Sequence, residues 1–447
     1  MSTVVTRFPP SPTGHFHIGS ARTALFNFLF TKHHDGVMYL RFEDTDKERS
    51  KKEYEDDIIE GLRWLSISYT PAQPLRQSER LPAYRTYLHT LIEKGAAYEA
   101  EESEGGRRAV RFKNPNSSIT FSDAVRGEIT FDTSDLKDFV IARNTDDPLY
   151  HMAVVADDHD MGVTNVIRGE DHISNTPRQI LILEALGFER PQYAHIPLIL
   201  AADRSKLSKR HGAISVNEYR TLGYLPEALV NYLSLLGWNP GDDREIYSLD
   251  ELVEKFSLEQ IQKGGAIFNL EKLYWFNSCY LKKMPAEDFN REAQTRLREA
   301  LESHSILWDE RIAHNLLPLI RERTGVWSEI REMVDHGDLD YFFSKPAPEP
   351  SKIPGKGSDI ATAARHLAQL RKLLETLPSS EDIEPMQIKK VVWDYAEREG
   401  RGAVLWPLRY ALTGKERSPD PFLVGAIIGR EGALERIDAA LTILRDV

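Results

Sequence analysis

Cysteine is nearly missing from this sequence: Cys279 is the single one in 447 residues. No disulfide can close within the chain, and a cysteine-rich zinc site is excluded. Cys279 itself reads as a small buried apolar residue. Long apolar runs are missing too, with nothing near the roughly 20 residues needed to span a bilayer. No membrane partner is expected. No signal-like or basic transit segment precedes the first strand-like residues, so the expected compartment is the cytoplasm. Positive charge is in deficit, the formal net charge being -12. That argues against a nonspecific nucleic-acid coat, while a local basic surface on an acidic body stays open. There is no internal repeat and no low-complexity tract. What remains is a globular composition, 41% hydrophobic and 28% charged, on a chain long enough for about two to four domains.

One stretch organises the rest. Arg7 to Arg22 reads RFPPSPTGHFHIGSAR, with three prolines, two glycines and two histidines. It joins the apolar run at Val4-Val5-Thr6 to a helical run starting near Ile18. A strand feeding a Pro/Gly loop that opens into a helix can hold phosphate, because backbone N–H groups and the positive end of the helix dipole face the ligand. Gly14 and Gly19 let the backbone approach closely, and His15 and His17 add imidazole donors. The plainer alternative is a proline-rich turn with surface histidines.

Downstream, Val4–Phe8, Ala21–His33, Val37–Phe42 and Lys51–Leu65 alternate strand and helix, which suggests a parallel, doubly wound sheet. The opening loop and the run Glu43–Asp46 both fall at carboxyl ends of its strands, where such sheets bind ligands. Ser78–Tyr98 reads as helix. Short strands at Val110–Phe112, Ile119–Phe121, Ile129–Phe131 and Phe139–Ala142 suggest an antiparallel insertion. Tyr150–Val166 reads as a return to apolar strand, followed by a helix over Asn175–Leu186 opened by Thr176-Pro177. After Arg220 almost everything reads as helix, with Gly/Pro breaks, and Ser344–Ser358 reads as a linker with four prolines and two glycines.

Three groups of residues carry chemistry. His15, His17 and Gly19 belong to the loop. Lys206-Leu207-Ser208-Lys209-Arg210 reads either as a solvated basic turn or as a cationic loop for a polyphosphate. In the second case Lys209 is the main contact and Lys206 the next, stabilising charge that builds on a departing pyrophosphate. Arg7, Arg168 and Glu43 lie at strand ends and suit an acidic amino acid: arginine takes a carboxylate with paired hydrogen bonds, and Glu43 takes the ammonium. Asp157-Asp158-His159-Asp160 reads as an acidic turn with diverging side chains rather than a metal site. Gly355-Lys356-Gly357-Ser358 lacks P-loop spacing.

The segments RFPPSPTGHFHIGSARTALFNFLF, LRFEDTDKERS, VIRGEDHISNTPRQI and KLSKRHGAISVNEY, followed by GYLPEALVNYLSLLGW, together resemble the bacterial-type glutamyl-tRNA synthetases, a family of class I aminoacyl-tRNA synthetases. WPLRYALTGKERSP resembles the family's anticodon-binding region. The resemblance implies an α/β catalytic domain with a doubly wound, Rossmann-like parallel sheet and an α+β insertion. All-α anticodon-binding domains follow. The implied boundaries are 1–85 with 151–200 for the catalytic domain and 86–150 for the insertion that meets the tRNA acceptor end. Residues 201–285 form a stem-contact domain with the KLSKR loop. Residues 286–345 and 359–447 form two helical anticodon-binding domains joined by the linker 346–358. The implied reaction is ATP-dependent ligation of glutamate to the 3′ end of tRNA-Glu through a glutamyl-adenylate. His17-Ile18-Gly19-Ser20 matches the "HIGH" signature, with Ser20 in place of the second histidine, and Lys206–Arg210 matches "KMSKS". By position, ATP falls to His15, His17, Gly19, Lys206, Lys209 and Arg210. Glutamate falls to Arg7, Ser11, Glu43, Tyr150 and Arg168, and catalysis to His17, Lys209 and Lys206. His172 aligns with a position that varies in the family. ATP brings Mg2+. The insertion has no cysteine, so no zinc is expected, and a monomer is expected. Glutaminyl-tRNA synthetase shares the signatures but has β-barrels where this chain is helical. A truncated glutamylating relative lacks the tail, and a small nucleotidyltransferase would not account for KLSKR or the length.

Overall fold

The first strand, β1 (Val5–Phe8), buries Thr6, Arg7 and Phe8, and the chain then loops into α1 (Ile18–His33). The structure is a computed structural model that describes residues 3–71, 73–101, 108–205, 207, 214–378 and 383–446. It divides into two units, Met1–Tyr280 and Leu281–Val447.

In the first unit α1 leads to β2 (Val37–Phe42), then α2 (Lys52–Trp64), β3 (Leu75–Arg76) and α3 (Leu81–Glu93). β1 lies parallel to β2, with Val5 opposite Val37 and Phe8 opposite Leu40, and β2 lies parallel to β3. The insertion follows: β4 (Ala97–Glu101), β5 (Arg108–Phe112), β6 (Ser118–Asp123), β7 (Gly127–Asp132), β8 (Phe139–Asn144) and β9 (Asp147–Pro148). Then come α4 (Tyr150–Asp160), β10 (Asn165–Gly169), α5 (Thr176–Leu186) and β11 (Gln192–Ile196). β10 and β11 are parallel, and Arg168 stands opposite His195. The chain before β10 returns to β1: Thr164 N donates to the Val5 carbonyl at 3.0 Å, and Val5 N donates to Thr164 Oγ1 at 2.8 Å.

The structure corrects two expectations. Tyr150–Asp160 is a helix, and strand begins only at Asn165. Met152 to Ala156 are all apolar and buried, and a short run that is apolar on all sides cannot be told from a buried strand by periodicity. The hairpin β6–β7 does not stay with the insertion sheet, which holds β4, β5, β8 and β9. Instead β6 pairs in parallel with β11 at Asp123 and Tyr193. That pairing brings Asp123 to the end of the β10–β11 sheet.

The unit continues with a short parallel pair, β12 (Ile199–Leu200) and β13 (Ala266–Ile267). Around it lie α6 (Val216–Thr221), α7 (Pro226–Leu235), α8 (Leu249–Lys255) and α9 (Leu270–Lys283). Capping boxes at Ser215/Glu218 and Ser248/Glu251 start α6 and α8 by pairing their free first-turn N–H groups.

Every regular helix or strand described in the second unit is helical: α10 (Ala286–Ser303), α11 (Glu310–Arg323), α12 (Ser328–Asp335), α13 (Asp340–Phe343), α14 (Ile360–Glu375), α15 (Pro385–Glu399), α16 (Arg401–Thr413) and α17 (Pro421–Arg445). α17 kinks at Gly429, whose φ of 79° favours glycine. Arg311 Nη2 donates to the Ile428 carbonyl beside the kink at 3.0 Å. The Pro/Gly stretch before α14 packs down: Ile353 is buried, and Trp406 Nε1 donates to the Lys352 carbonyl at 3.0 Å. No described helix is long and apolar enough to cross a membrane.

Candidate active site

The opening loop is pinned at several points. Glu43 N donates to the Pro10 carbonyl and Lys51 N to the Pro12 carbonyl, each at 3.0 Å. Asp57, on α2, accepts from Phe16 N at 2.6 Å and from Asn217 Nδ2 at 2.7 Å. The Phe16 carbonyl accepts from Val216 N at 2.8 Å, and His17 bridges Ser215. The loop is therefore tied both to α2 and to the segment that starts α6. His17 caps α1, with its Nδ1 accepting from Ser20 N at 3.2 Å. A Cβ at Gly19 would stand 3.1 Å from the His17 ring, so glycine leaves the ring its place. His15, His17 and Ser11 are exposed. His15 Nδ1 is 3.6 Å from Asp57 Oδ2.

Beneath the loop lies a buried charge cluster. Arg7, 1% exposed, donates from Nε to Asp158 Oδ1 at 3.1 Å. Arg41, 0% exposed, donates to the same Asp158 oxygen at 2.6 Å and to Glu43 Oε1 at 3.2 Å. Asp157 accepts from Arg80 Nε at 2.7 Å, from Gln77 Nε2 at 2.8 Å and from Tyr84 Oη at 2.9 Å. Burial pushes the Asp158 carboxyl up, but Arg7 and Arg41 together hold it below the usual range. Glu43 goes the other way: burial outweighs Arg41 and Arg7 and lifts its pKa above the ordinary value. Arg7 Nη1 is buried with no hydrogen-bond partner among the described residues. A buried donor left unpaired costs about 1–3 kcal/mol, so this atom favours a bound acceptor.

Arg168 is 5% exposed. Its Nε donates to His195 Nε2 at 3.1 Å, Nη1 to Gln179 Oε1 at 2.8 Å and Nη2 to Thr176 Oγ1 at 2.8 Å. Tyr150 Oη is 3.0 Å from His172 Nδ1. Burial and the charge of Glu43 push the Tyr150 phenol up to about 12, against Arg168 and Arg7. Burial and then Arg168 bring His172 down to about 4. Tyr150, Glu43, Arg7, Arg168 and Asp158 thus share one electrostatic neighbourhood.

The fold brings together Arg7, Glu43, Tyr150 and Arg168 below the loop that carries Ser11, His15, His17 and Gly19. Lys206, Lys209 and Arg210 lie outside the described residues. Sequence reasoning missed the partners of the arginines. Asp157 and Asp158 are not an acidic turn: they sit on α4 and are engaged by Arg7, Arg41 and Arg80. Their partners are up to 151 residues away in sequence, and no local pattern points to them. Asp123 and His195 were missed for the same reason. Among the described residues no group of three or more His, Cys, Asp or Glu could hold a metal ion. In the second unit, Arg323, His336, Lys415 and Arg417 help line a cavity of about 350 Å³.

A parallel sheet, a Pro/Gly loop at the start of its first helix, buried arginines near that loop and a helical second unit accord with a class I aminoacyl-tRNA synthetase, and the family comparisons show that class. The family profile "tRNA synthetases class I (E and Q), catalytic domain" matches residues 3–106 and 99–275, and "Anticodon binding domain" matches 278–441. The chain is 41% identical to the glutamate–tRNA ligase of Aquifex aeolicus, covering 98% of each sequence. It is 40% identical to that of Thermodesulfovibrio yellowstonii, covering 97% of this chain and 98% of the relative. A crystal structure of a glutamate–tRNA ligase from Elizabethkingia meningosepticum superposes with a TM-score of 0.87 at 30% identity, over 99% of this chain and 100% of that one. The chain belongs to the glutamate–tRNA ligase family.

Proposed function

We propose that this chain ligates glutamate to the 3′ end of tRNA-Glu, using ATP as its magnesium complex and passing through a glutamyl-adenylate. The observation that carries the reading is a pair of buried arginines near the Gly19 loop: among the described residues, Arg7 Nη1 has no hydrogen-bond partner and Arg168 has no carboxylate bonded to it. Such guanidiniums favour a carboxylate ligand. In this reading Arg168 and Arg7 take carboxylates of glutamate, Glu43 takes its ammonium, and Ser11 and Tyr150 complete the pocket. His15, His17 and Gly19 hold ATP, with Lys206, Lys209 and Arg210 closing over the leaving group.

A carboxylate oxygen of glutamate attacks the α-phosphorus, and the bond to pyrophosphate breaks. The terminal ribose hydroxyl of the tRNA then attacks the acyl carbon. The bond to AMP breaks, and the hydroxyl proton passes to solvent. No protein nucleophile is needed, so catalysis is positioning plus electrostatics. Residues 86–150 meet the acceptor end and 201–285 the stem. Residues 286–345 and 359–447 meet the anticodon, where the basic cavity around Arg323 and Lys415 suits an unstacked nucleotide. The enzyme acts as a monomer in the cytoplasm and needs no zinc.

Aminoacylation of purified tRNA-Glu and tRNA-Gln, with glutamate and glutamine compared, tests the reading. Glutamate should be attached to tRNA-Glu and glutamine refused. Efficient charging with glutamine would contradict it.

A further inference from the structure

Arg168 and His195 stand opposite each other in the parallel pair β10–β11, so their side chains leave the same face of the sheet. Arg168 Nε can only donate. The His195 Nε2 it meets at 3.1 Å must therefore accept, which puts the ring proton on Nδ1. Nδ1 faces Asp123 Oδ2 at 2.6 Å. Asp123 is itself fixed: Oδ1 accepts from Val125 N at 3.0 Å and Arg126 N at 2.8 Å, and Oδ2 accepts from His195 N at 3.0 Å. His195 is 0% and Asp123 2% exposed, so both lie out of reach of bulk solvent. Burial, aided by Arg168, keeps the imidazole's pKa below its usual value in spite of Asp123.

We infer that Asp123 and His195 are positioning residues: Asp123 fixes the His195 tautomer, and His195 holds the Arg168 guanidinium through an uncharged acceptor. The inference rests on the reading of Arg168 as a glutamate contact. A carboxylate at position 195 would hold Arg168 equally well but would cancel its charge, as Asp158 does for Arg7. The imidazole keeps the Asp123 charge a ring's width away and leaves Arg168 electrostatically open to a substrate carboxylate. An alkyl side chain there would leave Nε–H buried and unpaired.

The test uses the full chain and steady-state aminoacylation. His195→Leu should raise the glutamate KM about tenfold, the effect of one lost charged hydrogen bond, with kcat and the ATP KM within about twofold. His195→Gln carries an uncharged amide oxygen that can accept from Nε and should stay within about threefold of the parent. In 15N-histidine spectra of the parent, one ring absent from His195→Gln should carry its proton on Nδ1 and none on Nε2. An Nε2–H tautomer at that ring overturns the inference whether or not the leucine variant folds. So does a glutamate KM that rises in His195→Gln as much as in His195→Leu. Arg168→Ala separates the two layers. If it leaves the glutamate KM unchanged, the pocket reading fails and the inference falls with it. If it raises that KM while His195→Leu leaves it unchanged, the inference alone fails.

Discussion

Arg41 and Arg168 are both buried arginines of the catalytic unit, and their surroundings differ in kind. Arg41 meets three carboxylates, with Asp158 at 2.6 Å, Glu43 at 3.2 Å and Asp157 at 3.7 Å. Those charges push its pKa above the ordinary arginine value despite burial. Arg168 bonds to a histidine, an amide and a hydroxyl, and burial, with Arg7 nearby, lowers its pKa despite Tyr150. An arginine whose charge is already spent on carboxylates supports structure. One held by neutral groups keeps its charge for a ligand. Arg7 lies between these cases: Nε is committed to Asp158, while Nη1 has no partner among the described residues.

This contrast can be broken from the structural side first. Arg41→Leu should cost about 3–5 kcal/mol in urea unfolding, because it leaves buried carboxylates without their shared partner. A loss under about 1 kcal/mol would mean that the cluster relaxes around the gap. The loop reading predicts a kinetic effect instead. Lys209→Ala should slow adenylate formation about 100- to 1000-fold, measured by tRNA-dependent pyrophosphate exchange, with tRNA affinity nearly unchanged. Unimpaired activation would remove Lys209 from the leaving-group site.

Glu43 gives a smaller, pH-dependent effect. Its pKa is raised, so a proton binds it at higher pH than an ordinary glutamate, and the protonated form cannot pair with the substrate ammonium. kcat/KM for glutamate should therefore be flat above the raised pKa and fall as pH drops through it. In Glu43→Gln that limb should disappear. A limb that survives the substitution belongs to another group. Smallest of all, chelation with EDTA and return of magnesium should leave the activity unchanged, and stoichiometric zinc in the purified protein would contradict the proposal that the enzyme needs no zinc.

Several of the residues that the fold brings close to one another were legible in the sequence. The loop from Pro9 to Gly19 lies between an apolar run and a helix, and both are local features of the sequence. Arg7 and Glu43 could be placed at strand ends because the strand runs before them are short and apolar, whereas most of the run read before Arg168, Tyr150–Val166, is the helix α4. The supports of these residues were not legible. Asp158 meets Arg7 across 151 positions, and Asp123 meets His195 across 72. Such pairings depend on how strands are ordered, which periodicity does not encode. The helical state of Tyr150–Asp160 was hidden because Met152–Ala156, apolar and buried throughout, carry no amphipathic signal.

The central claim is that Arg168 keeps its charge for glutamate. The most direct measurement is the glutamate dependence of tRNA-Glu charging by Arg168→Ala, alongside its urea unfolding. The expected result is a glutamate KM raised by about 100-fold or more, or activity lost, corresponding to about 3 kcal/mol of a charged hydrogen bond. The ATP KM should stay near that of the parent, and the variant should still fold, at a cost of about 1–3 kcal/mol for the buried partners it leaves unpaired. An unchanged glutamate KM, or a loss explained wholly by unfolding, would contradict the claim.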